Sequence, residues 1–314
     1  MTTPVERALA GVLAARPVDL LAIGETMALV VPTHPEPLRT ASEFRLSMGG
    51  AESNVACHLA AAGHRAAWFS ALGADALGDR VRDEIAAHGV DVSRVRRDPS
   101  APTGLYLKDP GQGVLYYRAG SAASRLGPAD LTALDLEDVR IVHLTGITPA
   151  LSASCRALVP AATAAARAAG ALVSLDVNHR PALWASVDEA AATIREVALE
   201  VDVVLVGRDE AETLWGTATP DEIRALFPDV PHLVVKDADV EAVEFTADGR
   251  TAVPTPRVEV VEAVGAGDAF AAGWFDGLLR GEDATSRLTR GHARAARALS
   301  STHDIPTPDE GAPA

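Results

Sequence analysis

Lysine is nearly missing from this chain: of 28 basic residues only Lys108 and Lys236 are lysines, set against 43 acidic residues and a formal net charge of −15. That balance argues against nucleic acid or an anionic membrane surface as a main partner, because phosphate backbones reward clustered Lys and Arg. Cysteine stops at two, Cys57 and Cys155, both in helix-like apolar contexts without a CxxC spacing, so neither a disulfide framework nor a zinc site is expected. No apolar run is long enough to span a bilayer, and residues 1–17 contain Glu6, Arg7 and Arg16 where a secretory leader needs an unbroken apolar stretch. The expected location is the cytoplasm. What remains is a chain of 314 residues, 48% hydrophobic, with enough apolar material for a substantial core. A small-molecule substrate fits best, and an anionic one is not excluded, since a few arginines in one pocket can dominate its field.

Short β-rich runs alternate with Ala-rich helical stretches, the pattern of a doubly wound, mostly parallel α/β sheet flanked by helices. Strands are expected over 20–24, 67–72, 141–144, 172–176, 203–206 and 233–235, with helices over 52–62, 79–87, 152–169 and 188–199 between them. Gly63, Gly89 and Gly170 stand where helix C-caps favour glycine. Two strand-like regions, about 27–48 and 103–119, break the alternation and are expected to form a small β-sheet lid, whose exposed face would suit a second subunit. The other reading makes them antiparallel edge strands of the main sheet. The division expected is an N-terminal extension over 1–17, one domain over 18–305 and a disordered tail over 306–314, where Pro306, Pro308, Gly311 and Pro313 cluster.

Gly265-Ala266-Gly267-Asp268 follows a Val-rich segment (Val258, Val260, Val261) and opens the apolar run Ala269 to Phe275. A strand is expected to end there, the glycines to turn the backbone, and a helix to begin with an acid in its first turn. Free N–H groups at such a start form an anion hole, and an adjacent carboxylate can take a proton from a hydroxyl. The combination suits phosphoryl transfer to an alcohol, although an ordinary strand-to-helix turn shares the same four residues. A second glycine turn, Gly49-Gly50-Ala51-Glu52-Ser53-Asn54, also leads into a helix; its backbone can approach a polyol, and Asn54 offers both a donor and an acceptor.

Together, GGAESN and AVGAGDAFAAG resemble the two signature regions of the ribokinase-like (PfkB) sugar kinases, over roughly residues 18–305. Segments 102–106, 116–122, 143–148 and 176–180 resemble one branch, the 2-keto-3-deoxygluconate kinases. The resemblance implies transfer of the γ-phosphate of ATP to the terminal hydroxyl of 2-keto-3-deoxygluconate or a close sugar acid. Asp268 would be the general base, with the N–H groups of Gly265, Ala266 and Gly267 stabilising the transferring phosphoryl group. Tyr106, Tyr116, Arg118 and Arg180 match substrate-binding positions, with Gly50 and Asn54 at the sugar hydroxyls. Lys236, with Gly265 and Gly267, falls on the nucleotide side. Glu210 and Glu262 match acidic positions that act indirectly on Mg²⁺, and a monovalent cation is left open. A homodimer through the lid sheets is expected, with no nucleic-acid or membrane partner.

A guanidinium presents a planar fork to a carboxylate, so two arginines favour a sugar acid over a neutral sugar. Arg118 can also be read as a solvated edge charge. Tyr116 and Tyr117 point to opposite faces of a strand, so at most one faces the pocket. His143 reads as a satisfied polar residue at a strand end, and Trp184 and Trp215 as packing. The chain differs from the family pattern at Glu262, usually aspartate, at Gly207, usually asparagine, at Ala238 and Glu241, usually glycines, and at His303-Asp304, where Gly-Asp is common. The alternatives are a fructokinase- or ribokinase-type neutral-sugar kinase and a non-catalytic sensor of the same fold.

Overall fold

The computed structural model describes residues 16–258, 260–261, 264–300 and 305. Glu262, His303-Asp304, the tail 306–314 and most of the N-terminal extension lie outside the described residues. Arg16, at the end of that extension, donates to the carbonyls of Val139 and Ala169 at 2.6 and 2.8 Å.

The strands, in chain order, are β1 (Val18–Ile23), β2 (Met27–Pro32), β3 (Phe44–Gly49), β4 (Ala66–Phe69), β5 (Ala71–Gly73), β6 (Arg96–Asp98), β7 (Leu105–Asp109), β8 (Gly113–Tyr117), β9 (Val139–Thr145), β10 (Leu172–Asp176), β11 (Val203–Gly207), β12 (His232–Asp237), β13 (Glu241–Thr246) and β14 (Gly249–Pro254). The helices are α1 (Ala51–Ala60), α2 (Ala76–Ala87), α3 (Ala153–Ala168), α4 (Val187–Ala198), α5 (Arg208–Trp215), α6 (Pro220–Leu226), α7 (Ala266–Leu279) and α8 (Ala284–Leu299).

The main sheet runs β14-β13-β12-β11-β10-β9-β1-β4, parallel from β4 to β12. Its strands are near-continuous Val, Leu and Ile because both faces are covered and successive side chains alternate between them. Leu20 and Ala22 pack into one core with α1, α2, α7 and α8, whereas Leu21 and Ile23 pack into the other with α3, α4, α5 and α6. Val203 and Leu205 divide from Val204 and Val206 in the same way. Register aligns the strand ends: Asp176 pairs with Leu205 and Gly207 with Lys236. Chain order reverses between β1 and β9, and in open α/β sheets ligands bind beyond the carboxyl ends at such a switch point.

The lid regions form a separate four-stranded sheet, β3-β2-β7-β8, and are not edge strands of the main one. Arg80 and Glu84 of α2 fasten it, the first donating to the Leu46 carbonyl at 3.0 Å and the second accepting from Ser47 at 3.0 Å. One face of the lid exposes Phe44, Leu46, Leu115 and Tyr117, while Met27, Leu29 and Tyr106 cluster on the other.

Three expectations are corrected. The run 67–72 is two strands, broken at Ser70 where the chain leaves the main sheet for the β5–β6 pair. The sheet ends in an antiparallel hairpin, β13–β14, that the alternating pattern did not announce. The Val-rich residues before Gly265 carry no strand among those described: β14 stops at Pro254, and Val260, Val261 and Val264 are exposed. Gly63, Gly89 and Gly170 do take the left-handed backbone expected of helix ends, with φ of +90°, +84° and +68°.

Candidate active site

Gly265 begins α7 with φ of +81°, a conformation that disfavours any residue with a Cβ. The first intrahelical bond runs from Ala269 N–H to the Gly265 carbonyl at 2.9 Å, so the N–H groups of Ala266, Gly267 and Asp268 precede the ladder. These donors and the helix dipole favour an anion at this point. Asp268 lies in the same first turn and is buried. Asn54, in the second turn of α1, donates from Nδ2 to Asp268 Oδ2 at 2.8 Å, and Asn178 makes a long contact to Oδ1 at 3.5 Å. Burial pushes the Asp268 carboxyl up to about 7; the charge of Asp176 adds to the rise, while the Asn54 bond, Arg180 and Lys236 oppose it. The result is a carboxylate of base strength suited to neutral pH. The Oδ1 atoms of Asn54 and Asn178 are buried without a hydrogen-bond partner among the described residues, leaving two acceptors next to this base.

Beneath the glycine turn, Lys236 Nζ pairs with Asp176 Oδ2 at 2.8 Å and Oδ1 at 3.2 Å. A Cβ on Gly267 would stand 3.6 Å from the same Nζ, so the ammonium lies at the foot of the anion hole. Burial works against its charge, but Asp176 and Glu210 outweigh it and hold the Lys236 proton affinity above the ordinary lysine range. Glu210 is not disposed to ligate a metal directly. Its Oε1 accepts from His179 N–H at 2.7 Å and its Oε2 from Gly207 N–H at 2.8 Å, capping α5 and fixing the 178–179 turn. Among the described residues no cluster of three or more His, Cys, Asp or Glu side chains forms a metal cage. A Mg²⁺ site built on Glu210 as a direct ligand therefore does not fit these residues.

On the lid side, Arg118 follows the end of β8 and is not a solvated edge charge. Its Nε and Nη2 meet Glu25 Oε2 at 2.6 and 2.5 Å, and Ser121 donates to Glu25 Oε1 at 2.5 Å. The Glu25 side chain is fully buried and Arg118 nearly so, which makes this a clasp between the β1–β2 joint and the exit of the lid. Tyr106 and Tyr116 share a face and stack with centroids 5.8 Å apart, with the Arg118 guanidinium 5.8 Å from the Tyr116 ring. Tyr117 points to the other face, as strand alternation requires. Gly50 is fixed by close approach: a Cβ there would lie 2.4 Å from the Glu25 carbonyl oxygen. Arg180, after β10, is exposed; it makes no ion pair among the described residues, and it donates to the His179 carbonyl at 3.2 Å.

The departures at Ala238 and Glu241 from the family pattern have structural compensations. Ala238 keeps a left-handed backbone, φ +40°, where the pattern has glycine. Asp237 pairs with Arg208 at 2.8 Å and Glu241 with Arg250 at 2.7 Å, so two of the added carboxylates are neutralised. His143 sits inside β9 and is only half satisfied: Nδ1 meets Ser174 Oγ at 2.9 Å, Nε2 has no hydrogen-bond partner among the described residues, and burial pushes the ring down to about 4. The two tryptophans are packing residues, Trp215 donating to the Ala191 carbonyl at 3.1 Å and Trp184 lying under Arg156.

The structure thus gathers Asp268, Gly265, Ala266, Gly267, Asn54, Lys236 and Arg180 around one point, while it pairs Arg118 with Glu25 and turns the Glu210 oxygens to backbone N–H groups. Sequence reasoning missed Glu25, Asp176 and Asn178 as members. The last two lie in the quoted segment 176–180, whose position beyond a predicted strand was the available signal.

The model of the pfkB family carbohydrate kinases matches residues 18–310. The chain belongs to that family. A 2-dehydro-3-deoxygluconokinase of Bacillus subtilis is 36% identical over 303 residues, 91% of each chain. A 2-dehydro-3-deoxygalactonokinase of Haloferax volcanii is 32% identical, covering 93% of this chain and 95% of its own. The crystal structure of a PfkB protein from Polaromonas sp. JS666 is 35% identical with a TM-score of 0.85, covering 93% of this chain and 98% of that one. This carbohydrate kinase carries the family's two glycine turns on α1 and α7, and the contact between Asn54 and Asp268 joins them into one site.

Proposed function

We propose that this kinase phosphorylates the terminal hydroxyl of 2-dehydro-3-deoxygluconate, the keto sugar acid also called 2-keto-3-deoxygluconate, or a close epimer, with ATP as donor. The observation that carries the reading is a buried base, Asp268, flanked by two amide oxygens that have no hydrogen-bond partner among the described residues and electrostatically coupled to Arg180, which makes no ion pair among them. The amide oxygens suit hydroxyl donors, and the guanidinium suits a carboxylate. Relatives named for keto-deoxy sugar acids support the same class.

In the proposed step Asp268 takes the proton of the terminal hydroxyl as its oxygen bonds to the γ-phosphorus, and the bond from that phosphorus to the β–γ bridging oxygen breaks. The N–H groups of Ala266 and Gly267, free of the helix ladder, receive the equatorial oxygens together with that of Gly265 at the turn, with Lys236 adding positive charge from below. Asn54 and Gly50 hold the sugar, Arg180 its carboxylate, and the Tyr106–Tyr116 stack with Arg118 walls the acceptor side. ATP is proposed to arrive with Mg²⁺ on its phosphates, and Glu210 to act on it only through water. The exposed lid face of Phe44, Leu46, Leu115 and Tyr117 is the proposed dimer contact, in a cytoplasmic enzyme.

The test is ATP- and Mg²⁺-dependent phosphorylation of 2-dehydro-3-deoxygluconate, with fructose and ribose in parallel and Asp268→Asn as control. Turnover on the keto acid that disappears in the variant is expected; faster turnover on fructose, or tight keto-acid binding without turnover, sinks the reading.

A further inference from the structure

Asp176 has no part in the reading above, yet it is buried at the carboxyl end of β10. Both of its oxygens face Lys236 Nζ, at 2.8 and 3.2 Å, and that nitrogen lies under Gly267 of the anion hole. Lys236 ends on β12, two strands away from β10, so the pair spans β11 and fastens the floor of the cleft. We propose that Asp176 is a positioning residue, its buried ion pair parking the Lys236 ammonium beneath the glycine turn, at the foot of the anion hole. This rests on the phosphotransfer reading for its use, and on geometry alone for its existence.

The groups that bear on Asp268 come from every element around it. They are Asn54 from α1, Asp176, Asn178 and Arg180 from β10 and its exit, and Lys236 from β12; Glu210 of α5 acts on the Asp176–Lys236 pair. Asp176 raises the proton affinity of Asp268 and Lys236 lowers it. Replacing Asp176 with Asn removes the first influence and leaves the second without its counter-ion, and both changes lower it. Replacing Lys236 with Met does the reverse. His143, below the pair, stays neutral in this range, since burial pushes it down to about 4.

The experiment is a carboxyl ¹³C NMR titration of enzyme labelled at aspartate, with the Asp268 resonance assigned by its loss in Asp268→Asn. The Asp268 midpoint is expected to fall by about 1 pH unit in Asp176→Asn and to rise by about 1 pH unit in Lys236→Met. The acid limb of the kcat profile should move in the same two directions. A residue with only a structural role would shift neither in opposite senses, so midpoints that stay put, or move the same way in both variants, overturn the proposal. Should Asp176→Asn fail to fold, Lys236→Met decides alone: an unmoved or lowered midpoint overturns it. The titration needs no substrate, so opposed shifts in an enzyme that leaves the keto acid unphosphorylated would refute the substrate and keep the ion pair's role.

Discussion

Around the proposed acceptor half of the cleft the charged groups are buried and locked together: Glu25 with Arg118 and Ser121, and Asp268 with Asn54. Around the rim of the proposed donor half they stand nearer to water, with Asp237 held by Arg208, Glu241 by Arg250, and Ala238 bent into a glycine's backbone between them. A buried pair broken from one side leaves an uncompensated charge and costs much, whereas a solvated pair costs little. The difference teaches that at Ala238 and Glu241, where the environment is forgiving, backbone shape and local neutrality persist after residue identity has changed.

Asp268 joins the two halves, and its loss should weigh most. Asp268→Asn is expected to lower kcat by about 10²- to 10⁴-fold, read by steady-state phosphorylation rates. The same substitution should stabilise the fold above neutrality. The folded protein holds the Asp268 proton up to about 7, against an ordinary aspartate value of 3.8, so its contribution to stability falls as pH rises through that window. A higher Tm for Asp268→Asn than for the wild type at pH 8 is the expected outcome, with the gap closing as pH drops toward 4. In the wild type, kcat/KM should climb with pH through about 7 as the base loses its proton.

The two arginines separate the locked group from the available one. Arg118→Met leaves Glu25 buried with only Ser121 and should cost about 3–5 kcal/mol in denaturant unfolding. Arg180→Leu should leave Tm nearly unchanged and raise KM for the keto acid about 10- to 100-fold, the worth of one charged hydrogen bond, with little change for a neutral sugar. Equal effects of Arg180→Leu on both acceptors would remove the argument for a sugar acid.

The donor rim should respond least. Ala238→Gly relieves a left-handed backbone and is expected to stabilise by about 1 kcal/mol, with KM for ATP within twofold of the wild type.

Much of this arrangement was legible in the residues, because parts of it are local. A helix begun by Gly265 with an acid in its first turn, and strands of continuous Val and Leu, are written within a few neighbouring positions. The pairings were not. Asn54 and Asp268 are 214 positions apart, Glu25 and Arg118 are 93, and Asp176 and Lys236 are 60. Nothing local distinguishes an arginine destined for a buried partner from one left to a ligand, which is why Arg118 and Arg180 looked alike in the sequence. The β13–β14 hairpin was missed because alternating strands and helices give no notice of where a sheet will stop alternating.

Register in the central sheet also acts as a measuring scale. Asp176 and Lys236 are brought together by pairings counted residue by residue across β10, β11 and β12. One residue inserted into β12 would exchange the side chains of its two faces between the cores and carry Lys236 about 3.3 Å along the strand. That displacement exceeds the 2.8 Å separating the ammonium from its carboxylate. The tolerance of the cleft for insertions is thus set in the interior of the sheet, at positions that no substrate ever touches.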